Sequence, residues 1–426
     1  MKKCITMLIL TIIVTGISLD AKEITVSTGA NYANQVFYNL TTDEVISIPK
    51  DNWDIAFEIA GYDAGILLNS TKGTGLTLYY YPQSDEDSWD VKLDTTGMSS
   101  AWPKCYDSEY KWSIGAFNRG SDGFGGSGEY GWGYYSPGTH AIIGNSLYVI
   151  KLDDGSYKKI MIYEMFNSAY TFLVADLDGN NEKEYKVSKK DYITKNFAYF
   201  DLKSGQIIDR EPNKGEWDLL FTKYTSILNM GGTITPYSVT GVKSNKEVLV
   251  AQVGEYLIDQ APVPNQEAYT DTITAIGHDW KKFILSENRY DINDMMIYFV
   301  AALDGLIYKI AFRDFGGSEN GNFVFEKQEL QTSVEENNGS ISSFAIYPNV
   351  ASTGQPVKLL LKNGNYNGTI GASIFSVNGV MLSESKFDYN GGLGVFSLQT
   401  NELAAGCYFI TVRVGGISQV QKLIIE

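Results

Sequence analysis

Two histidines, His140 and His278, and three cysteines, Cys4, Cys105 and Cys407, stand in 426 residues. So few imidazole and thiolate ligands exclude zinc fingers, histidine metal cages and iron–sulfur clusters. A Ser-His-Asp triad would have to draw on one of the two imidazoles. His140 closes the segment Arg119–His140 (RGSDGFGGSGEYGWGYYSPGTH), where eight glycines surround Phe124, Tyr130, Trp132, Tyr134 and Tyr135. A pliant loop carrying rings can close over a flat apolar ligand; the same rings can stack on sugars or pack onto their own sheet. His278 lies in Ala275–Trp280 (AIGHDW), where Asp279 could orient it, or where it is simply a satisfied turn residue. Met165, Met230 and Met295 are available as thioether ligands and equally as core filler. Asp176-Leu177-Asp178-Gly179-Asn180 lacks the third carboxylate and the later glycine of a calcium loop, so it reads as a hairpin turn. Asp85, Glu86, Asp87 and Asp90 form an acidic loop that needs no ion. No nucleophile elbow, metal-ligand spacing or recognisable acid–base pair emerges, and the expectation is a protein that is not an enzyme.

The elements that must position these residues are strands. Short β-branched and aromatic runs, such as Leu76–Tyr81, Leu147–Ile150 and Met296–Val300, alternate with Gly, Asn and Asp turns, which argues for an all-β fold with few, short helices. Ahead of them Lys2-Lys3 and the apolar run Cys4–Leu19 read as a secretory signal over residues 1–21, too short to span a membrane. No later run approaches about 18 apolar residues, so no transmembrane span is expected in the mature protein. Thirty-four basic residues against 50 acidic ones give a formal charge of −16, a surface that repels phosphate backbones and excludes nucleic acid as a partner. After export Cys105 and Cys407 remain, far apart in the chain and expected to stay unpaired.

Two segments recur in order. Val36–Glu58 and Ala198–Tyr224 each run from an aromatic strand through a polar turn to Trp-Asp-apolar-apolar-Phe, at Trp53–Phe57 and Trp217–Phe221. Leu147–Tyr163 and Ile297–Phe312 each hold an Asp-Gly turn, Asp154-Gly155 and Asp304-Gly305, followed by Tyr-Lys. Asp-Gly between apolar runs is a strong hairpin signal, because the turn needs residues tolerant of positive φ. The repetition predicts two related antiparallel β domains, 23–195 and 196–332.

These residues resemble the HmuY haemophore family of exported β-rich proteins, with Trp53/Asp54 and Asp154/Gly155/Tyr157/Lys158 in one copy. Trp217/Asp218 and Asp304/Gly305/Tyr308/Lys309 would form the other. The resemblance implies capture of haem or a related porphyrin at the cell surface through His or Met axial ligands. On that reading His140, His278, Trp132, Tyr134 and Tyr135 are the haem candidates. The alternative is a surface module that binds glycans or another protein through its aromatic loops.

A polar linker, 333–343, separates this body from residues 344–426. Tyr347-Pro348-Asn349, Phe375–Gly379 (FSVNG) and Leu403–Tyr408 (LAAGCY) make that stretch resemble a type A C-terminal sorting domain of the type IX secretion system, expected as a small Ig-like β-sandwich. The resemblance implies secretion machinery as its partner, and export followed by release or attachment at the outer surface. Setting signal and tail aside leaves 27 basic against 45 acidic residues, about −18, on the repeat body.

Overall fold

The computed structural model describes residues 21–60, 64–118, 128–264, 266–329, 343–414 and 417–426. The expected signal (up to residue 20), most of the linker, and Arg119–Ser127 of the glycine-rich segment lie outside the described residues. The all-β class holds: among the described residues strands dominate and no helix exceeds four residues. The chain forms two compact units, ending and beginning at Leu330 and Gln331.

The first unit contains two sandwiches, each with a five-stranded path facing a four-stranded sheet. In the first sandwich the five run Lys183–Ser188, Ala169–Ala175, Tyr157–Phe166, Leu147–Lys151, Thr77–Tyr80. The facing four run Gln206–Ile208, Phe197–Asp201, Ile55–Glu58, Ile66–Leu68. In the second the five run Lys22–Ser27, Asn322–Glu329, Ile307–Phe315, Ile297–Ala301, Leu249–Val253. Its four run Val45–Pro49, Asn34–Tyr38, Leu219–Met230, Thr233–Ser244. Strand for strand the two orders are the same. Both carry a register break at the matching place, Ile162/Glu164 in one and Phe312/Asp314 in the other.

The sandwiches do not follow the 195/196 division. Three strands at the start of each sequence copy finish the sandwich of the other copy. Lys22–Ser27 and Asn34–Tyr38 pair with strands beyond residue 218, and Val45–Pro49 joins the same sheet at its edge by pairing with Asn34–Tyr38. Lys183–Ser188 and Phe197–Asp201 pair with strands before residue 176, and Gln206–Ile208 joins as an edge strand on Phe197–Asp201. The second copy therefore begins structurally near Lys183, and the exchange of three strands is reciprocal. The Tyr-Lys correspondence also slips by one residue. Counted from the Asp-Gly turns, Lys158 opposes Ile150 as Tyr308 opposes Val300, so Lys159 and Lys309 are the matched pair. Both of these lysines are buried and donate to backbone carbonyls, Val91 at 3.2 Å and Ile258 at 3.0 Å.

The Trp-Asp-apolar-apolar-Phe runs owe their continuous hydrophobicity to burial on both faces. Ile55 and Phe57 enter the first core and Leu219 and Phe221 the second. Ala56 and Leu220, with Trp53 and Trp217, enter a layer between the two four-stranded sheets. There Trp53 meets Tyr199 edge-on at 5.0 Å, and Trp217 meets Phe37 in the same way at 5.0 Å. The Asp after each Trp braces the exchanged strand. Asp54 accepts from Leu202 N at 2.7 Å; Asp218 accepts from Leu40 N at 2.7 Å and Leu303 N at 3.0 Å. Asn69 and Asn245 complete each brace by donating to the carbonyls of Trp53 and Trp217, at 3.1 and 2.6 Å.

The C-terminal unit is a six-stranded β sheet around its own core, with Leu359, Ile370, Ile374, Ile410 and Leu423 among the buried residues. Ser376–Val380 is a tight turn closed by Ser376 N to Val380 O at 2.9 Å, and Gly379 there has φ +78. Asn349 O receives Ile424 N at 2.8 Å, and Tyr408 Oη donates to Ala404 O at 2.7 Å.

Removing residues 22–50 takes the buried Val36, Phe37 and Tyr38 out of the second sandwich. Hydrogen exchange on that truncated chain is expected to show 219–329 unprotected while Leu147–Ala175 stays protected; equal protection in both regions would refute the exchange. A second expectation concerns Glu211, 2% exposed, where burial raises the carboxyl from 4.5 to about 7 despite the Phe197 N–H bonded to it. The folded state then holds this proton more tightly than the unfolded chain, so stability falls as pH rises from 4.5 to about 7, by on the order of 3 kcal/mol. Urea titrations of Glu211→Gln across that window should lose this decline; an unchanged slope would assign it elsewhere.

Candidate functional site

Trp132, Tyr134, Tyr135 and His140 belong to one stretch of the first sandwich, the hairpin Gly133–Ser136 and Ala141–Gly144 laid on Tyr157–Phe166. A Cβ on Gly133 would lie 2.3 Å from Ile143 O, and one on Gly144 1.8 Å from Ile162 O. Glycine is thus what lets this hairpin lie so close to its neighbours.

The rings do not share one environment. Trp132 is fully buried in the first core, its Nε1 donating to Ala64 O at 3.0 Å, and Tyr130 is buried beside it. Trp132 is therefore not a ring poised over a ligand. Tyr134 is half-buried and donates to Glu86 Oε1 at 2.7 Å, a bond that raises its phenol pKa. Tyr135 is exposed, and its Oη lies 3.1 Å from Nδ1 of His140, itself an exposed turn residue with φ +55.

His278 stands in the second sandwich, half-buried, with Nδ1 3.2 Å from Tyr224 Oη. Burial, and then the charge of Lys281, hold its pKa below the ordinary imidazole value. Its hydrogen-bond partner is Tyr224, from a strand 54 residues away, rather than the neighbouring Asp279. The two histidines sit on different sandwiches. The methionines are also dispersed: Met165 packs on the first core, while Met230 and Met295 are exposed at separate places. Asp176–Asn180 forms a hairpin turn, with Asp176 N to Asn180 O at 2.9 Å.

An opening lies at the end of the first sandwich, over Asp54. It is a cavity of about 470 Å3 walled by Lys72, Tyr157, Lys158, Asp176 and Tyr185, with Asp153, Asp154, Lys183 and Lys203 at its edge. Lys72 Nζ, in the floor, bonds Asp54 at 2.7 Å and Asp201 at 3.1 Å. Burial would lower the Lys72 pKa, but these two carboxylates raise it on balance and keep it ionised. On the wall Lys158 pairs with Asp176, whose pKa that bond lowers. Asp54, Asp154, Tyr157 and Lys158 belong to the recurring runs and Asp176 to a hairpin turn, whereas Lys72, Tyr185, Lys183 and Lys203 carry no signal in the chain.

Residues 345–426 match a family model described as a secretion system C-terminal sorting domain. This is the type IX tail, so the chain is exported across the membrane and then secreted or attached at the outer surface, with the type IX machinery as a partner. No match to the HmuY family is found. A search of the curated proteins finds no match. Among solved structures, the dimeric latent PorU from Porphyromonas gingivalis is similar at 8% identity and TM-score 0.19, over 95% of this chain and 34% of that one. A polysaccharide lyase is similar at 9% identity and TM-score 0.18, over 92% of this chain and 46% of that one. A fungal copper-bound alcohol oxidase is similar at 10% identity and TM-score 0.17, over 95% and 99%. Likeness at these scores carries no argument. No helix among the described residues is long and apolar enough to cross a membrane.

The floor of the opening yields its own expectation. Lys72→Met leaves Asp54, 1% exposed, facing Asp201 without a cation, and should destabilise the fold by about 3–5 kcal/mol. The shift in urea midpoint measures this. A loss below about 1 kcal/mol would mean the two carboxylates find other partners.

Proposed function

We propose that this exported protein is a non-catalytic binding protein whose body, residues 22–329, captures a polar ligand such as a surface glycan or a protein segment. The observation that carries this reading is the open, polar end of the first sandwich. A cavity of about 470 Å3 lies within the range of small-ligand sites. Lys72 and Lys158 are held in ion pairs rather than left free for acid–base work, which favours binding over catalysis.

Haem or a related porphyrin is the second reading, favoured by one feature of the hairpin. The Tyr135 hydroxyl engages Nδ1 of His140, which leaves Nε2 as the nitrogen that would hold an iron. The residues fit that group only in part. Trp132 and Tyr130, which would line a porphyrin face, are interior, and His278 is engaged by Tyr224 on the other sandwich.

Titration of the purified chain with haemin separates the two readings. The expected result is a weak Soret change, the same in wild type and His140→Ala, at micromolar haemin. A tight complex whose Soret band disappears in His140→Ala would overturn the polar-ligand reading and establish capture of porphyrin by the hairpin.

A further inference from the structure

The matching ends of the two sandwiches are finished differently. In the second sandwich the space over Asp218 is filled. Tyr308, 3% exposed, directs its hydroxyl to Asp304 at 3.3 Å and Thr41 at 3.4 Å. Lys327 crosses above that ring to Leu40 O at 2.7 Å and to Asp43. Tyr38 Oη reaches the same Asp43 at 2.5 Å. Strand register gives the counterparts in the first sandwich: Lys158 for Tyr308, Val174 for Lys327 and Gly205 for Asp43. The plugging tyrosine, the crossing lysine and the lysine's carboxylate acceptor are all replaced, and the cavity over Asp54 stands in their place.

Resting on the reading of the body as a binding module, we infer that this opening holds a neutral, hydroxyl-rich ligand, the terminal sugar of a glycan. The lining carries four lysines, Lys72, Lys158, Lys183 and Lys203, and four aspartates, Asp54, Asp153, Asp154 and Asp176. Lys72 is bonded to Asp54, and Lys158 to Asp176. Lys203 lies near enough to Asp154 to help hold its carboxyl below the usual range, after the Ser156 bonds that do most of this. Lys72 also bonds Asp201, so the floor carries no spare positive charge for an anion, and an ionic ligand would have to break the Lys72 and Lys158 pairs. A sugar instead carries adjacent hydroxyls that each donate and accept, which suits ammonium and carboxylate groups set side by side. The wall is rigid, because the Tyr185 ring is stacked on Phe172 at 5.3 Å and set edge-on to Phe200 at 4.8 Å. That rigidity limits the side-chain ordering that binding would otherwise cost.

Calorimetry on the full chain tests this with neutral gluco-, manno- and galacto-oligosaccharides. Uronate oligosaccharides and zwitterionic dipeptides serve as charged counterparts. A neutral oligosaccharide is expected to bind with an affinity that changes less than about twofold between low and high salt. The exposed-rim variants Asp153→Asn and Lys203→Ala, which leave the core untouched, should each weaken it about tenfold. Lys158→Tyr with Val174→Lys and Gly205→Asp, which copies the second sandwich's plug together with its carboxylate, should abolish it. Saccharide binding that survives both the rim variants and the plug would overturn the site. Binding of the uronates alone, with a steep salt dependence, would overturn the neutral ligand. Dipeptide binding that the rim variants abolish would overturn the sugar but leave the binding module standing, whereas no heat with any probe would overturn both.

Discussion

A carboxylate taken out of water must be given hydrogen bonds, and Asp54 and Asp218 each receive one from the opposite sequence copy. Asp54, at the head of one central strand, is bonded by the backbone at Leu202; Asp218, at the head of the other, by the backbone at Leu40. Each aspartate also donates its own N–H into the exchanged strand, to Phe200 O and Tyr38 O, both at 2.9 Å. These braces hold the three traded strands in register, and everything else in the body is arranged around them. The tryptophan before each aspartate turns into the layer between the sandwiches, and the asparagine behind it holds the tryptophan carbonyl. One dipeptide thus fixes a strand on both faces.

The same constraint allows the two ends to diverge. With the brace satisfied mainly by backbone, the side chains above it are free to fill the space or leave it open. Tyr308 and Lys327 fill it in one sandwich; Val174 and Gly205 leave it open in the other. Where it is open, Lys72 supplies Asp54 with the bond that Leu303 N supplies to Asp218. The open end is therefore a departure from the arrangement that the second sandwich carries.

Class, repetition and export tail were legible in the residues. Alternating apolar runs and Asp-Gly turns carry strands and hairpins, and three spaced motifs carry the tail. The strand exchange was not legible, because a hairpin signal reports local pairing and says nothing of which sheet accepts an outer strand. Lys22–Ser27 buries little besides Val26, so its sequence bears almost no mark of its partner 300 residues on. The ring-rich segment misled in a different way. Trp132 looks like a loop residue among glycines, yet Gly133 beside it serves close strand contact, and the ring points inward. Asp54, Asp154, Tyr157 and Lys158 were legible as strand and turn markers but not as a cleft, because only the fold brings them together with Lys72, Tyr185 and Lys203 at a sandwich end.

The path of the chain also dictates an order of events. A polypeptide delivered N-terminus first presents Asn34–Tyr38 long before Leu219–Met230, its partner, has arrived. Every strand of the first sandwich lies between Ile55 and Ile208, so that sandwich can close while the leading segment still waits. The second then assembles against a neighbour already in place, and the last strand, Asn322–Glu329, locks down the first. Because that closing contact spans nearly the whole body, its loop-closure cost is lowest once the rest is folded. An exported chain of this design becomes compact at the moment its body is complete, just ahead of the tail that marks it for sorting.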